Sequence, residues 1–260
     1  MHTQTALPSP AASATRRVPM VPPQGQPVRS LVGERIGQTL ALLQASVPIT
    51  RTLVRAGDTI AQTGDRLQCL YVIHAGMVKT VSLSADGREQ VVGLHFRGDW
   101  LGFDGIADGH FHCDAISMDT GEIWAIRYDA LMAACAATPA LMGVVHSAMS
   151  REIARDRDSM MSLCTLPADA RVAEFLRQWS EALEQRGLRA DQITLRLSRA
   201  EIGNYLGMKL ETVSRALSRL ARDGVIDFCE KGRRDLHIPD AQALAAFVQR
   251  SLVPATATLQ

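Results

Sequence analysis

Long apolar runs are missing from this chain. No stretch approaches the roughly 18 consecutive apolar residues that suggest a membrane-spanning helix. The N-terminus lacks the apolar core of a signal peptide. A cytoplasmic protein is the expectation by elimination. Cysteine is sparse and scattered, at Cys69, Cys113, Cys135, Cys164 and Cys229, with an odd count and no C-x-x-C pair. That spacing fits reduced structural thiols better than a disulfide framework. Strong net charge is absent too: the formal value is +1, so no global basic character announces a nucleic acid. Finally, there is no nucleophile–base pair, metal-binding motif or phosphate-binding glycine loop, which argues against an enzyme.

Charge is nevertheless unevenly placed. Residues 171–234 hold 13 basic and 9 acidic side chains, a surplus of 4, so the remainder is acidic. Inside this basic region lies LSRAEIGNYLGMKLETVSRALSRL, Leu197 to Leu220. Ser198 and Glu201 have the spacing of a capping box. Ile202, Tyr205 and Leu206 then share a helical face, and Gly207 suits a left-handed helix end. A second amphipathic helix follows, with Leu210, Val213, Leu217 and Leu220 as its apolar face. Its other face carries Lys209, Glu211, Thr212, Ser214, Arg215 and Arg219. A capped helix, a glycine turn and a second amphipathic helix predict a helix-turn-helix, with double-stranded DNA as the partner. Glu211 can accept from a cytosine amino group, and Arg215 can pair with guanine O6 and N7. Two ordinary surface helices would explain the charges but not the cap, turn and second helix together.

The rest of the chain supports such a reader. Residues 1–30, rich in Pro, Ala, Ser and Gln, read as a disordered tail. Arg35 to Ala45 has weak helical spacing. From Ile49 to about Ile126, short β-rich runs alternate with glycine turns, which predicts a sandwich or roll. Asp86-Gly87 reads as a hairpin turn. Tyr128 to Ala137 is a short helix before Pro139. His146, Met149, Ile153, Asp156, Met160 and Leu163 then step by three and four, as in a seam between paired helices. One helix packed on its own domain is the alternative. After Leu166-Pro167, Ala168 to Glu184 is amphipathic and should pack beneath the two reading helices. Ile193, Leu195 and Leu197 alternate as a strand. Val225 to Cys229 and Leu236 to Ile238 read as a two-stranded wing, with Lys231, Arg233 and Arg234 near its tip for phosphates. A helix from Ala241 to Arg250 precedes a polar tail, 251–260.

The segments EIGNYLG (Glu201 to Gly207), ETVSR (Glu211 to Arg215), VRAGD (Val54 to Asp58), YVIHAGMVK (Tyr71 to Lys79) and GDWLGFDGI (Gly98 to Ile106) resemble the Crp/Fnr family of bacterial transcription regulators, most closely its Fnr branch. The resemblance implies an α+β chain: a β-roll sensor domain (31–137), a long dimerisation helix (138–166) and a winged helix-turn-helix (167–250). It implies a homodimer in which Glu211, Ser214 and Arg215 read TTGAT-type half-sites of an inverted repeat. It also implies an activator that contacts RNA polymerase. Lys209 departs from the family, where a Thr or Ser would cap the recognition helix; lysine cannot accept that bond.

Two cofactors of the family are not expected. The Fnr iron–sulfur cluster needs N-terminal cysteines, but residues 1–68 contain none, and a further ligand position falls near Trp124. Cyclic AMP in the family's relatives needs an arginine for its phosphate, but no arginine lies between Gly102 and Ile123. His110, His112 and Cys113 form a local group that is either a surface turn or a haem or metal site, so a ligand sensor with DNA binding as its output stays open. Asp156 would face its own copy across a dimer seam. The resemblance implies that this keeps the dimer conditional on a signal, while Arg155 and Arg157 offer neutralisation instead.

Overall fold

A computed structural model of the chain describes residues 28–84, 87–229 and 234–252. Helix α1 (Val28–Ser46) precedes eight strands. These are β1 (Thr50–Val54), β2 (Thr59–Ala61), β3 (Cys69–Ala75), β4 (Val78–Leu83), β5 (Glu89–His95), β6 (Trp100–Leu101), β7 (Asp114–Ser117) and β8 (Gly121–Arg127). They form two four-stranded antiparallel sheets, ordered β1-β8-β3-β6 and β2-β7-β4-β5. Buried Val54, Ile73, Val78, Leu101, Phe111 and Ile123 fill the space between them. Buried and half-buried residues alternate in β7, whereas β1 buries only Val54. Trp124 is buried in β8, stacked on His74 at 4.5 Å, with its indole N–H donating to Glu122 Oε1 at 2.7 Å. It is a core residue, as a strand interior demands.

Helix α2 (Tyr128–Ala137) leads into α3 (Pro139–Thr165). Pro139 suits the first helical turn, where its missing N–H is not needed. Leu166 is extended ahead of Pro167, and the helix stops there. Then follow α4 (Ala168–Glu184), β9 (Gln192–Thr194), α5 (Arg199–Tyr205), α6 (Leu210–Arg222), β10 (Asp227–Phe228), β11 (Asp235–His237) and α7 (Ala241–Leu252). The mixed α+β architecture agrees with the sequence reading. Three details differ. Val28 to Ser30 belong to α1 rather than to the tail; the rest of that tail lies outside the described residues, as do residues 253–260, Asp86 and the wing positions Lys231 and Arg233. Helix α1 is longer than its weak periodicity suggested. The wing is also a three-stranded sheet, β10-β11-β9, because β9 pairs with β11 through Ile193↔Leu236.

The core of the C-terminal half reaches into the roll. Phe175, Leu176 and Trp179 of α4 pack with Val213, Leu217 and Leu220 of α6, and Phe96 and Met118 of the roll join the same cluster. Phe96 meets Trp179 edge-on at 5.7 Å. Beside it, Asp99 is 8% exposed and holds three donors: Arg155 of α3 at 2.7 Å, Arg186 after α4 at 3.0 Å and the Phe96 N–H at 2.9 Å. Burial alone would push the Asp99 carboxyl up. Arg186, Arg155 and His95 outweigh it and hold the carboxyl below its usual range.

Asp99→Asn removes the charge that the buried Arg186 and the partly exposed Arg155 compensate. Urea unfolding should show a loss of about 3 kcal/mol at neutral pH. The loss should shrink as pH falls through the folded carboxyl's depressed titration, where the wild type loses the same charge.

Candidate nucleic-acid interface

Helix α5 begins with the capping box that the sequence promised. Ser198 Oγ accepts from the Glu201 N–H at 3.2 Å, while the Ser198 N–H donates to Glu201 Oε2 at 2.8 Å. Two otherwise orphaned donors are satisfied, which fixes where the helix starts. The turn after it depends on two glycines. Gly207 has φ +62°, in the left-handed region. A Cβ on Gly203 would lie 2.5 Å from the Met208 carbonyl oxygen, so only glycine lets the turn close against α5. Gly203 was not singled out in the sequence, since a helical glycine gives no local sign of what approaches it.

Helix α6 buries Val213, Ala216, Leu217 and Leu220. Leu210, expected on that face, is instead 45% exposed, at the first position of the helix. Lys209 occupies the N-cap position with no side-chain cap. Lys209, Glu211 and Arg215 are exposed, and among the described residues their side chains have no hydrogen-bond or ion-pair partner. Thr212 and Ser214 are half-buried between them. Arg219 differs: it donates to Asp169 of α4 at 2.5 Å, so this cation is partly committed to the head's own fold. Arg234 is exposed at the base of the wing. The result is one exposed polar row on a helix whose opposite face is rigidly packed. Such a row can enter a major groove.

A model of the Crp-like helix-turn-helix domain matches residues 170–247, and one of the cyclic nucleotide-binding domain matches residues 51–138. The fumarate and nitrate reduction regulatory protein of Salmonella typhimurium is 34% identical over 193 residues, covering 74% of this chain and 76% of that protein. The chain belongs to the Crp/Fnr family of transcription regulators. The solved structure of FixK2 from Bradyrhizobium japonicum is 26% identical with a TM-score of 0.69, covering 81% of this chain and 100% of that one. TTHA1359 of Thermus thermophilus, a Crp/Fnr-family transcriptional regulator, shares the fold at 18% identity and a TM-score of 0.61.

A cavity of about 560 Å³ lies in this Crp/Fnr frame among the roll, α3, α4 and the helix-turn-helix. Its walls include Leu101, Phe111, Phe175 and Leu206. Four carboxyl side chains line it, Asp104, Glu152, Asp156 and Glu174, together with His95 and Arg171. Arg171 is its one arginine among the described residues, and it already donates to the Leu166 and Leu206 carbonyls at 3.0 and 2.9 Å. Burial pushes the Glu152 carboxyl up to about 7 against the pull of Arg155, with Asp156, Asp104 and Asp99 adding to the rise. Burial also pushes His95 down to about 4, so it is neutral at physiological pH.

The His110, His112 and Cys113 group is a polar turn. His112 Nε2 pairs with Asp108 at 2.9 Å, and the His110 ring contacts the Asp108 carbonyl at 3.2 Å. Burial, then Asp104, pushes the Cys113 thiol up to about 11. Among the described residues, no three His, Cys, Asp or Glu side chains form a metal-holding group.

Helix α3 divides its faces as the spacing required. Leu141, Val145 and Ala148 pack inward, while Ile153, Met160 and Leu163 are 49%, 61% and 39% exposed in the single chain. Met149 departs from this, as it rests partly against the chain's own core. Asp156 lies on the exposed face, its carboxyl raised by partial burial and opposed by Arg155. The Arg155 guanidinium donates to Asp99 within the same chain.

Glu152 holds a proton when folded that it releases when unfolded between pH 4.5 and about 7, so it erodes stability as pH rises through that window. Glu152→Gln should therefore gain on the wild type from pH 4.5 upward. The gap should level off above pH 7 at no more than about 3 kcal/mol, read by urea unfolding across the range.

Proposed function

We propose that this chain is a cytoplasmic, homodimeric, sequence-specific regulator that reads an inverted repeat of TTGAT-type half-sites and raises transcription through RNA polymerase. One observation carries it: the unpartnered row Lys209, Glu211 and Arg215, flanked by Thr212 and Ser214, on a helix held from behind by the α4 core. In this reading Arg215 pairs with guanine and Glu211 accepts from cytosine, while Ser214 bonds a base edge or phosphate. Lys209, Lys231, Arg233 and Arg234 bind phosphates and set register. Arg219 reaches phosphate only by leaving Asp169, an exposed pair that costs little to open.

Residues 31–137 form the sensor, 138–166 the dimerisation helix and 167–250 the reading head. Met149, Ile153, Asp156, Met160 and Leu163 make the seam between two copies. The exposed apolar face of α3 supports it, since Met160 and its neighbours gain most from a second copy of the helix. Asp156 sets that gain against two carboxylates brought together, which makes dimerisation conditional.

An anionic effector does not belong in the cavity beside α3 and the helix-turn-helix in this reading. An acidic cavity whose arginine is already engaged offers no charge compensation to a phosphate, so cyclic AMP does not belong there. Nor does an Fnr-type cluster, for want of its cysteines.

Fluorescence anisotropy on a TTGAT–four bases–ATCAA duplex, against a scrambled duplex at the same salt, tests the reading. Selective binding is expected, and equal binding to both would overturn the code. Arg215→Ala should cost about 1–3 kcal/mol on the specific duplex and relax the preference at one base position. In sedimentation, Asp156→Ala should raise the dimer fraction. An unchanged fraction removes Asp156 from the control of assembly.

A further inference from the structure

Strand β5 is an outer strand of its sheet, paired with β4 on one side. An edge strand presents main-chain donors and acceptors that something must cover. Here the cover is one side chain from the helix-turn-helix. The Val91 N–H donates to Asn204 Oδ1 at 2.5 Å, and Asn204 Nδ2 donates to the Glu89 carbonyl at 2.6 Å. The Asn204 carboxamide thus pairs with the strand edge as a peptide unit of another strand would, one acceptor and one donor two residues apart. Around it, Gln90 Nε2 donates to the Asn204 carbonyl at 2.5 Å, and Lys79 Nζ of β4 donates to Glu201 Oε1 at 2.5 Å. Glu201 and Asn204 are three apart and share one face of α5.

We propose that Asn204, seated on the β5 edge with Glu201 on Lys79, is a positioning residue for DNA recognition: it fixes the angle of the reading head relative to the sensor and the dimerisation helix. The latch grips α5 and leaves Lys209, Glu211 and Arg215 of α6 exposed, so it does not cover the reading face. A second tie runs through Asp99 of the roll, which holds Arg186 after α4 and Arg155 of α3, and so joins the same head to the roll and, through it, to α3. With two ties the head has little freedom to swing. Two heads must meet half-sites at a spacing that the DNA dictates, so heads held in advance lose less orientational freedom on binding. The inference rests on the reading of a dimer on an inverted repeat, and it concerns the two-headed complex alone.

The full-length protein is tested as wild type, Asn204→Ala and Lys79→Met. Anisotropy is read on the inverted repeat and on the same duplex with one half-site scrambled, and hydrogen exchange is read at the Val91 amide. Both variants should bind the inverted repeat about tenfold more weakly, as the second head engages less readily. Their affinity for the single half-site should be unchanged, and the Val91 amide should exchange faster. If Asn204→Ala melts the head, Lys79→Met decides, because its side chain belongs to the roll. Equal or tighter binding of the variants to the inverted repeat, with the wild type selective, overturns the proposal. A wild type that ignores the inverted repeat overturns the DNA reading instead; the latch then stands or falls on whether Val91 is protected in the wild type and exposed in the variants.

Discussion

Asp99 is the carboxylate on which the arrangement of the molecule depends. It belongs to the roll, yet both its oxygens are taken by arginines of other parts: Arg155 from the long helix and Arg186 from the segment after α4. A buried charge is tolerable only when compensated, so the three parts must come together or none of the three groups is satisfied. Arg186 extends the junction. It donates to the carbonyls of Arg97 and Ala182 and lies over the Phe96 ring at 5.2 Å. The apolar contact of Phe96 with Trp179 supplies the driving force there, and the charges supply its orientation.

The same junction lies beside both the acidic cavity and the exposed face of α3. Arg155 sits between Glu152 and Asp156 on α3, with its guanidinium drawn toward Asp99. Glu152 faces the cavity, and Asp156 stands on the exposed face that a second copy would cover. A change at the cavity that moved Arg155 would alter the field at both carboxylates. The coupling is short-range electrostatics in a partly dry environment, where charges a few ångströms apart are strongly felt.

The reading head is built mostly by local rules, with its orientation set from outside. The capping box, Gly207 and the α6 apolar stripe make two helices at a fixed angle. The hold of α4 from behind and of β5 on α5 decides where those helices face. Capture of an edge strand by a single asparagine also protects that edge from pairing with another chain, which serves solubility as well as geometry.

What the sequence determined by itself is what short-range chemistry controls. Ser198 with Glu201 marked a helix start, Pro139 and Pro167 bounded α3, and the glycine turns delimited the strands. The 3–4 stepping of α3 separated its outward face from the inward face of Leu141, Val145 and Ala148. Only the tertiary structure decided which charges would meet. Nothing near Arg219 announces Asp169, 50 residues earlier, and nothing near Asn204 announces Val91. Nothing around Asp99 announces Arg155 or Arg186 as its partners. Leu210 fits the apolar stripe of its own helix but lies where no neighbour covers it. Periodicity records the faces of an element, whereas long-range partners depend on which surfaces the packing brings within a few ångströms.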